Sequence, residues 1–525
     1  MARIVFAGLF CGAVCAAASP AAAQSAGVRA GAAGARPELR VTVAGAGRVG
    51  AAAVSGFALD RAGARTEPAF EGQGRVMPRA EVAWVAAPEG PAFGAVAALD
   101  LAEGTLFGRP TRLADLAPGD RHAALLWNDA YVFARLGDRA GVRAGLQASA
   151  WGSGLVANDG RAELSLERQA WFDQGRPGDR ALRVLVHAMP WAGTASALRG
   201  LVLVVAGDKV VEDDVLRPGD GSAEQAVGAV RFHLAKERWI GLYAARRAQR
   251  HPSGRSIRVT VLDAACDLDT RDRAGNGLRV EAEAAYIGGD TDLGPTPDFP
   301  THSLAQAAAF ARTTWRSGAL GLQLDLGYHS GDAKPDDATL TAFRADRSFR
   351  QGLVLFERVI GWQTGRMPRT AVDPALAARA PDDLDRLPSD GAISNAITVF
   401  PKVGWRFGDV WEVYGGGLVA WAPAAPVDPY QTKVRGGGVP VSALGASAQA
   451  GDRWGTELDL GLRATWRLPD AWQSALQIGV EGATLLPGPA LEGLGEPMAA
   501  VHAGRLTLAL VGTTAAVPPR ADASK

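Results

Sequence analysis

The chain has 525 residues, of which 47% are hydrophobic, 65 are glycine and 3 are cysteine. Its 55 Lys and Arg residues are balanced by 55 Asp and Glu residues, so the formal net charge is zero. A chain this apolar is not disordered, and a balanced charge argues against nucleic acid as a partner.

A secretory signal peptide is predicted over residues 1–23. Its basic start is followed by an apolar run from Ile4 to Ala18 and by an A-x-A cleavage site that ends at Ala23. Two of the three cysteines leave with this segment, and the remaining thiol, Cys266, can form neither an internal disulfide nor a metal site by itself. We expect residues 24–43 to form a short periplasmic segment.

The rest of the chain is dominated by alternation of apolar and polar side chains. No later stretch is apolar over the roughly 20 residues that a membrane helix needs. Alternation recurs instead, most clearly over residues 142–151, 278–284, 320–328 and 456–467. Each of these segments has one apolar face and one polar or charged face, which predicts β-strands.

Two folds explain such strands, a soluble β-sandwich and a transmembrane β-barrel. The alternating segments run for about 9 to 15 residues, which suits tilted membrane strands of about 9 to 11 residues better than globular strands of about 5 to 6. Short connections, as at 137–141 and 408–409, alternate with long ones, as at 152–180 and 331–392. This is the pattern of short periplasmic turns and long extracellular loops in outer-membrane barrels.

We therefore predict an all-β chain that forms a transmembrane antiparallel β-barrel of about 18 strands over residues 44–512, with a periplasmic tail at 513–525. The strands are predicted near 44–58, 77–87, 92–102, 122–136, 141–151, 181–190, 196–207, 224–236, 238–249, 256–268, 277–288, 303–315, 320–330, 393–407, 410–421, 454–467, 473–485 and 498–512. An even number places both ends of the barrel in the periplasm. Because residues 37–58 fit one strand or two, about 16 strands remain an alternative.

Aromatic residues support the same orientation. Tryptophans next to the short turns are expected to form a periplasmic aromatic girdle. They are Trp239, Trp315, Trp405, Trp411, Trp466 and Trp472.

Charged residues on strands with an apolar opposite face are expected to line the lumen, because an arginine at the lipid midplane costs about 2 to 4 kcal/mol. The candidate lumen and solute-binding residues are Arg143, Arg183, Arg231, Arg247, Arg258, Arg279, Glu281, Glu283, Arg312, Asp325, Arg406, Glu457, Asp459, Arg463 and Arg505. Two hypotheses remain open. These charges pair with one another and brace the wall, or they form a charged constriction that selects solutes.

Acidic clusters in two long loops could hold Ca²⁺ through oxygen ligands. They are Asp332, Asp336, Asp337 and Asp346 in one loop, and Glu212, Asp213, Asp214 and Asp220 in the other. Neither cluster has the spacing of a known calcium loop, so we favour solvated loop tips. The sequence has no phosphate-binding loop, H-E-x-x-H or G-x-S-x-G motif, and we predict no enzyme activity, cofactor or metal.

Two parts of the chain resemble the alginate-export family of outer-membrane barrels. Gly145–Gly160, followed by Gly178–Arg180, resembles a family strand that ends in a glycine-rich loop. Gly327–Asp332, with Phe343 and Asp346 downstream, is similar to the family's glycine-tyrosine strand and its Ser-Gly-Asp loop entry. The resemblance implies a monomeric eighteen-stranded barrel whose Arg-rich lumen passes an anionic exopolysaccharide. The mixed sign of the lumen charges and the lack of a terminal aromatic residue depart from the family, and no family binding residue is carried over.

The favoured function is an outer-membrane pore or exporter for a polar solute, anionic or polysaccharide if the resemblance holds. A closed structural or adhesive barrel and a barrel-wall enzyme acting on lipid or polymer are the alternatives. The expected partners are outer-membrane lipid, the transported solute and the barrel-assembly machinery, and the expected state is a monomer.

Overall fold

The computed structural model describes residues 37–59, 63–87, 90–112, 124–166, 169–172, 176, 178–216, 221–235, 238–272, 274–293, 298–334, 337–365, 389, 391–427, 444–445, 447, 449–469, 474–493 and 497–512. The predicted signal peptide and the tail at 513–525 lie outside these ranges. Within them, no helix is both long and apolar enough to cross a membrane.

The described residues form eighteen long β-strands and one strand of two residues. They are β1 (Glu38–Val54), β2 (Ala69–Val85), β3 (Pro91–Gly108), β4 (Ala124–Leu136), β5 (Ala140–Ala148), β6 (Arg180–Ala188), β7 (Leu201–Glu212), β8 (Ser222–Ala235), β9 (Arg238–Arg250), β10 (Ser256–Asp269), β11 (Gly277–Thr291), β12 (His302–Ser317), β13 (Leu320–His329), β14 (Thr339–Leu340), β15 (Ala396–Phe407), β16 (Trp411–Trp421), β17 (Arg453–Arg467), β18 (Ser474–Pro487) and β19 (Val501–Gly512). The alternating sequence pattern thus gives strands long enough to cross a bilayer at a tilt.

The eighteen long strands close into an antiparallel barrel. Each pairs with its neighbours in the chain, and β13 pairs with β15 because β14 only adds a short parallel pairing to β12. The barrel closes where β19 pairs with β1, from Gly47 opposite Leu510 to Val54 opposite Ala503. The eighteen-strand prediction is confirmed and the sixteen-strand alternative is wrong.

The first strand differs from its predicted bounds. It is a single strand that begins at Glu38 rather than at residue 44, because Glu38 already pairs with Val85 of β2. From Gly47 to Val54, β1 pairs with both β19 and β2. From Glu38 to Ala46 it pairs with β2 and has no pairing with β19. Leu39, Val41 and Val43 alternate with Glu38, Arg40 and Thr42 over this overhang, so the sequence pattern of a strand already begins at Glu38 and the predicted start at residue 44 is too late.

Connections alternate in length around the barrel, as predicted. Short turns join β4 to β5, β8 to β9, β12 to β13 and β15 to β16, all at one end. The opposite end carries the long connections, of which 149–179 and 330–395 are the most extensive. Both ends of the wall, Glu38 and Gly512, lie at the short-turn end because the number of strands is even.

The outer surface of the wall is apolar. Its most exposed large side chains include Val205 (67%), Leu460 (65%) and Leu242 (63%). In β17, for example, the leucines at 458, 460 and 462 point outward, whereas Glu457, Asp459 and Arg463 point into the barrel. A closed barrel with an apolar exterior is the architecture of outer-membrane proteins, and the barrel is therefore located in the outer membrane.

Four of the six tryptophans predicted to form the aromatic girdle are exposed at the short-turn end of the barrel. Trp315, Trp405, Trp411 and Trp466 are 38% to 52% exposed at the short-turn end. Trp239 is an error of prediction, because its ring lies inside the barrel 5.7 Å from that of Trp151. Trp472 lies outside the described residues.

The main hydrophobic core lies inside the barrel. Two connections fold into the lumen, and we call their described residues the first inserted segment (149–179) and the second inserted segment (330–395). Apolar residues of both, such as Leu155 and Phe349, pack against wall residues such as Phe310 and Phe400. The second segment contains a π-helical turn (Leu355–Ile360) that continues into a short α-helix (Gly361–Gly365). The lumen is thus partly filled by the chain's own loops.

Candidate functional site

The predicted lumen residues all face inward except one. Arg258 is exposed on the outer face of β10, between inward-facing Ile257 and Val259. The prediction that Arg258 lines the lumen is therefore wrong. It assumed that an arginine facing lipid is costly, but this cost falls to about 0 to 1 kcal/mol near the membrane interfaces. The inward residues fall into three groups that differ in what satisfies their charge.

The first group consists of charges that pair within the wall or at its rim. Three arginines contact carboxylates on their own or the next strand: Arg183 contacts Asp208 at 2.6 Å, Arg279 contacts Asp267 at 2.8 Å and Glu281 at 3.0 Å, and Arg312 contacts Asp325 at 2.9 Å. Glu412 is shared by Arg463 at 2.6 Å and Arg406 at 3.3 Å. Arg505 pairs with Glu481, and Arg247 pairs with Asp213. Most of these partners lie on the adjacent strand, where opposite charges stabilise a sheet. Each residue of this group therefore has an oppositely charged partner in or beside the wall.

The second group consists of two glutamates that hold the inserted segments. Glu457 is fully buried and lies between apolar cross-strand neighbours, Leu418 and Leu485. Its carboxylate accepts backbone N–H groups of the second inserted segment: that of Leu353, that of Val354 at 2.8 Å and that of Leu355 at 2.7 Å. Asp459 lies two positions further along the same face and is also buried.

Glu283 plays the same part for the first inserted segment. It lies between Ala265 and Phe310 on the neighbouring strands. Its carboxylate accepts the backbone N–H of Ser153 and, at 3.1 Å, that of Leu155. Each inserted segment is therefore attached to the wall by a buried glutamate side chain that accepts at least two of its backbone N–H groups.

A further attachment of the first segment was not predicted from the sequence. Glu163, in a 3₁₀ turn over Ala162–Leu164, contacts Arg48 at 2.9 Å and Arg75 at 3.3 Å. Arg75 is fully buried and also contacts Asp100 at 3.0 Å. The segment then crosses the lumen, because the Trp171 ring stacks on that of Tyr414 in β16 at 5.7 Å.

Wall glycines provide the space for Trp171. A Cβ atom at Gly404 would lie 2.4 Å from the indole, and one at Gly321 would lie 3.1 Å from it. The indole N–H donates to Glu412 at 3.2 Å. Sequence alternation alone does not distinguish these glycines from others, because their function of leaving space for Trp171 depends on where the first inserted segment runs.

Arginines also surround a buried carboxylate in the second segment. Glu357 contacts Arg112 at 3.0 Å and Arg358 at 3.5 Å. Although burial opposes its ionisation, the guanidinium groups of Arg350, Arg112 and Arg358 hold the pKa of Glu357 well below its usual range. Burial lowers the pKa of Arg350 to about 10, because Glu357 only partly offsets the loss of hydration. The buried carboxylate of Glu357 is therefore surrounded by more than one guanidinium group.

The third group consists of Arg143 and Arg231, which have no carboxylate partner within the described residues. Arg143 lies between Phe133 and Leu185, and its guanidinium is 5.8 Å from the Tyr131 ring centroid. Arg231 lies on β8 with its guanidinium 4.0 Å from the ring centroid of Trp239. Both are half-buried. Their charge therefore remains available to water and to a solute in the lumen.

A cavity of about 360 Å³ lies between the wall and the inserted segments toward the long-loop end. Its lining includes Tyr243, Val259, Arg247, Asp213 and Trp454. Apolar wall residues and a few charged groups therefore meet in one space, as is typical of sites for small solutes.

The predicted calcium clusters have other partners. Asp213 pairs with Arg247, and Asp214 and Glu212 contact Arg347 at 3.1 and 3.5 Å. Asp336 and Asp220 lie outside the described residues. In the ranges given above, no group of three or more such side chains is arranged to hold a metal ion.

No protein-family model matches the chain, and no curated protein matches it. Solved structures that are similar include OccD3 (OpdP) of Pseudomonas aeruginosa, with 11% identity, 89% of this chain and 90% of that chain covered, and a TM-score of 0.46. OccAB1 of Acinetobacter baumannii has 11% identity, coverage of 90% and 96%, and a TM-score of 0.44. The outer membrane protein OpdK of Pseudomonas aeruginosa has 11% identity, coverage of 89% and 98%, and a TM-score of 0.44. No solute or activity transfers to this chain from structures this distant, and the alginate-export resemblance stays a prediction.

Proposed function

We propose that this barrel is a passive outer-membrane pore for small anionic solutes. The observation that carries the proposal is the pair of half-buried lumen arginines, Arg143 and Arg231, which form no ion pair within the described residues. A fixed positive charge in a narrow aqueous path attracts anions and repels cations. The paired arginines contribute less to this field because a carboxylate partner offsets part or all of their charge.

The size of the solute follows from the inserted segments. Both are attached to the wall by carboxylates, at Glu283 and Glu457, and their apolar residues pack against it. A polymer as wide as an exopolysaccharide would have to displace these segments. We therefore favour a small carboxylate or phosphate over the exopolysaccharide that the family resemblance implies.

The test is ion selectivity in planar bilayers under a salt gradient. We expect stepwise currents with anion preference at low salt. Arg143→Gln with Arg231→Gln should lower the anion-to-cation permeability ratio severalfold, and the effect should shrink near 1 M salt, where the Debye length is about 3 Å.

Arg238→Gln is the matched control, because Arg238 is exposed on the wall near a short turn and the change removes the same charge. It should leave selectivity unchanged. A conducting wild-type protein without anion preference, or a double variant that behaves like this control, would contradict the proposal.

A closed structural barrel is the second candidate, and the filled lumen favours it. Folded protein that inserts into bilayers without any current would support it. Loss of the heat-dependent gel shift would instead indicate misfolding, so the two causes of silence can be told apart.

A further inference from the structure

Charged side chains on the outer face of the barrel are concentrated on one hairpin. On many other strands apolar residues occupy outward positions toward the long-loop end, as at Phe70, Leu326 and Leu486, which are 54%, 43% and 49% exposed. On β9 and β10 the outward positions change to Arg246, Arg250 and Arg258, all of them exposed.

The hairpin is basic in sequence as well as in structure. Residues 246–258 contain five arginines and no Asp or Glu. Arg247 faces inward and pairs with Asp213, so the outward arginines are a separate group. The connection between β9 and β10 covers only 251–255, and it is too short to fold over the outer face.

The outward arginines make few contacts within the protein. Arg246 donates to the Thr260 hydroxyl at 2.8 Å. Arg258 lies opposite Asp290 of β11, yet none of the three arginines forms an ion pair within the described residues. On the adjoining strands Glu224 lies opposite Lys209. The surface therefore keeps a positive excess at the hairpin.

The position of these arginines relative to the lipid follows from their neighbours. Toward the short-turn end of the same strands, Leu242 and Leu262 are 63% and 53% exposed, and Tyr286 of β11 is 47% exposed. These apolar residues lie in hydrocarbon, whereas an arginine there costs about 2 to 4 kcal/mol and near the interface only about 0 to 1. Arg246, Arg250 and Arg258 therefore lie at the level of the outer-leaflet headgroups.

We propose that the outer face of the β9–β10 hairpin binds the headgroup of a multiply phosphorylated lipid in the outer leaflet. Guanidinium groups form paired hydrogen bonds with phosphate oxygens, and several at headgroup height suit a headgroup with more than one phosphate. The apolar side chains directly below contact the acyl chains. One lipid then bridges the charged and apolar zones of this surface, independently of any solute in the lumen.

The test measures lipid binding to the detergent-solubilised full-length protein by native mass spectrometry. The probes are a bisphosphorylated lipid A and the same lipid after removal of both phosphates. Wild-type protein should prefer the phosphorylated form. Arg246→Gln, Arg250→Gln and Arg258→Gln together should weaken its binding about 100-fold, because each basic residue near an anionic headgroup contributes about fivefold.

The matched control replaces three exposed arginines at the short-turn end, Arg199, Arg238 and Arg467, by Gln. It should bind within about twofold of wild type. Arg246→Gln alone, with an expected loss of about fivefold, gives a reading if the triple variant does not show the heat-dependent gel shift of a folded barrel.

Three results would overturn the proposal. One is equal binding of the phosphorylated and phosphate-free lipids. Another is equal loss in the hairpin variant and the control. The third is full displacement of the lipid by millimolar inorganic phosphate, which would indicate an ion site rather than a lipid surface.

Discussion

Replacing Glu457 by Gln is expected to release the second inserted segment from the barrel wall. The carboxylate accepts three consecutive backbone N–H groups, those of Leu353, Val354 and Leu355. It is fully buried and its cross-strand neighbours are apolar. Within the described residues no other side chain accepts a hydrogen bond from any of these three N–H groups, so the loss falls on the segment.

The magnitude follows from the geometry of the two oxygens. One oxygen accepts from Leu353 and Val354, and a Gln carbonyl in its place keeps both bonds at neutral strength, about half that of the charged ones. The other accepts from Leu355 at 2.7 Å, and a Gln amide there leaves that N–H buried without a partner, which costs about 1 to 3 kcal/mol. The sum is about 3 kcal/mol, or about 100-fold in the population of the released segment.

Hydrogen exchange measured by mass spectrometry gives the direct readout. Peptides that cover 349–362 should exchange about 100-fold faster in the variant, while peptides of β16 and β17 stay protected. In planar bilayers the same variant should show larger and noisier currents, because a released segment no longer narrows the lumen.

Glu481→Gln is the matched control. Glu481 also faces the lumen, but within the described part of the chain its hydrogen bonds go to wall residues, Arg505 and the Tyr414 hydroxyl. It should leave exchange in the segment unchanged. If Glu457→Gln has no effect on 349–362, or if all strands exchange faster to the same degree, the attachment inferred from these hydrogen bonds is wrong.

The remaining predictions concern the interior charges. Arg75→Met leaves Asp100 and Glu163 buried without their shared partner, and we expect a loss of about 3 to 5 kcal/mol that lowers the temperature of the heat-dependent gel shift. Burial and the nearby Asp214 raise the pKa of Asp346 well above its usual value. The folded state therefore holds the Asp346 proton more tightly than the unfolded state, so stability falls as pH rises from about 4 through the raised pKa. The first thermal transition, followed by tryptophan fluorescence, should accordingly be higher at pH 5 than at pH 8, and Asp346→Asn should reduce this difference; an unchanged difference would contradict the assignment.

The wall was predictable because its information is local. Strand length, alternation and turn length are each encoded within about ten to fifteen residues, and they led to eighteen strands with the correct face inward at positions such as Arg183 and Arg463. Arg258 shows the limit of that information. Alternation distinguishes two faces of a strand, but the height of a residue along the bilayer depends on the tilt and stagger of the whole barrel.

The inserted segments were not predictable for a different reason. Their paths depend on contacts between residues far apart in the chain, such as Glu457 with Leu353 and Glu163 with Arg75. The sequence showed them only as long polar or glycine-rich connections. It also gave no sign that Trp171 would pack against glycines of the opposite wall.

Strand register would nevertheless have separated the roles of the lumen charges. Glu481 lies directly across from Arg505 on the neighbouring strand. Such a cross-strand pair of opposite charges needs no further partner. A charge between apolar neighbours needs a partner from elsewhere, because a buried ion without one is costly. Glu283 and Glu457 have such neighbours, and the inserted segments supply their N–H donors.

Arg143 and Arg231 also lie between uncharged cross-strand neighbours, but no inserted segment supplies an ion-pair partner for their charge within the described residues. Arg143 lies between Phe133 and Leu185, and Arg231 lies between Val202 and Gly241. Aromatic rings cover part of each guanidinium, but a ring face accepts no ion pair, and several N–H donors on each remain for water. Water that hydrates a fixed cation in a narrow path is exchanged for an anion whenever one enters. The selectivity of the pore should therefore depend on these two residues, and not on the larger number of arginines that the sequence places in the lumen.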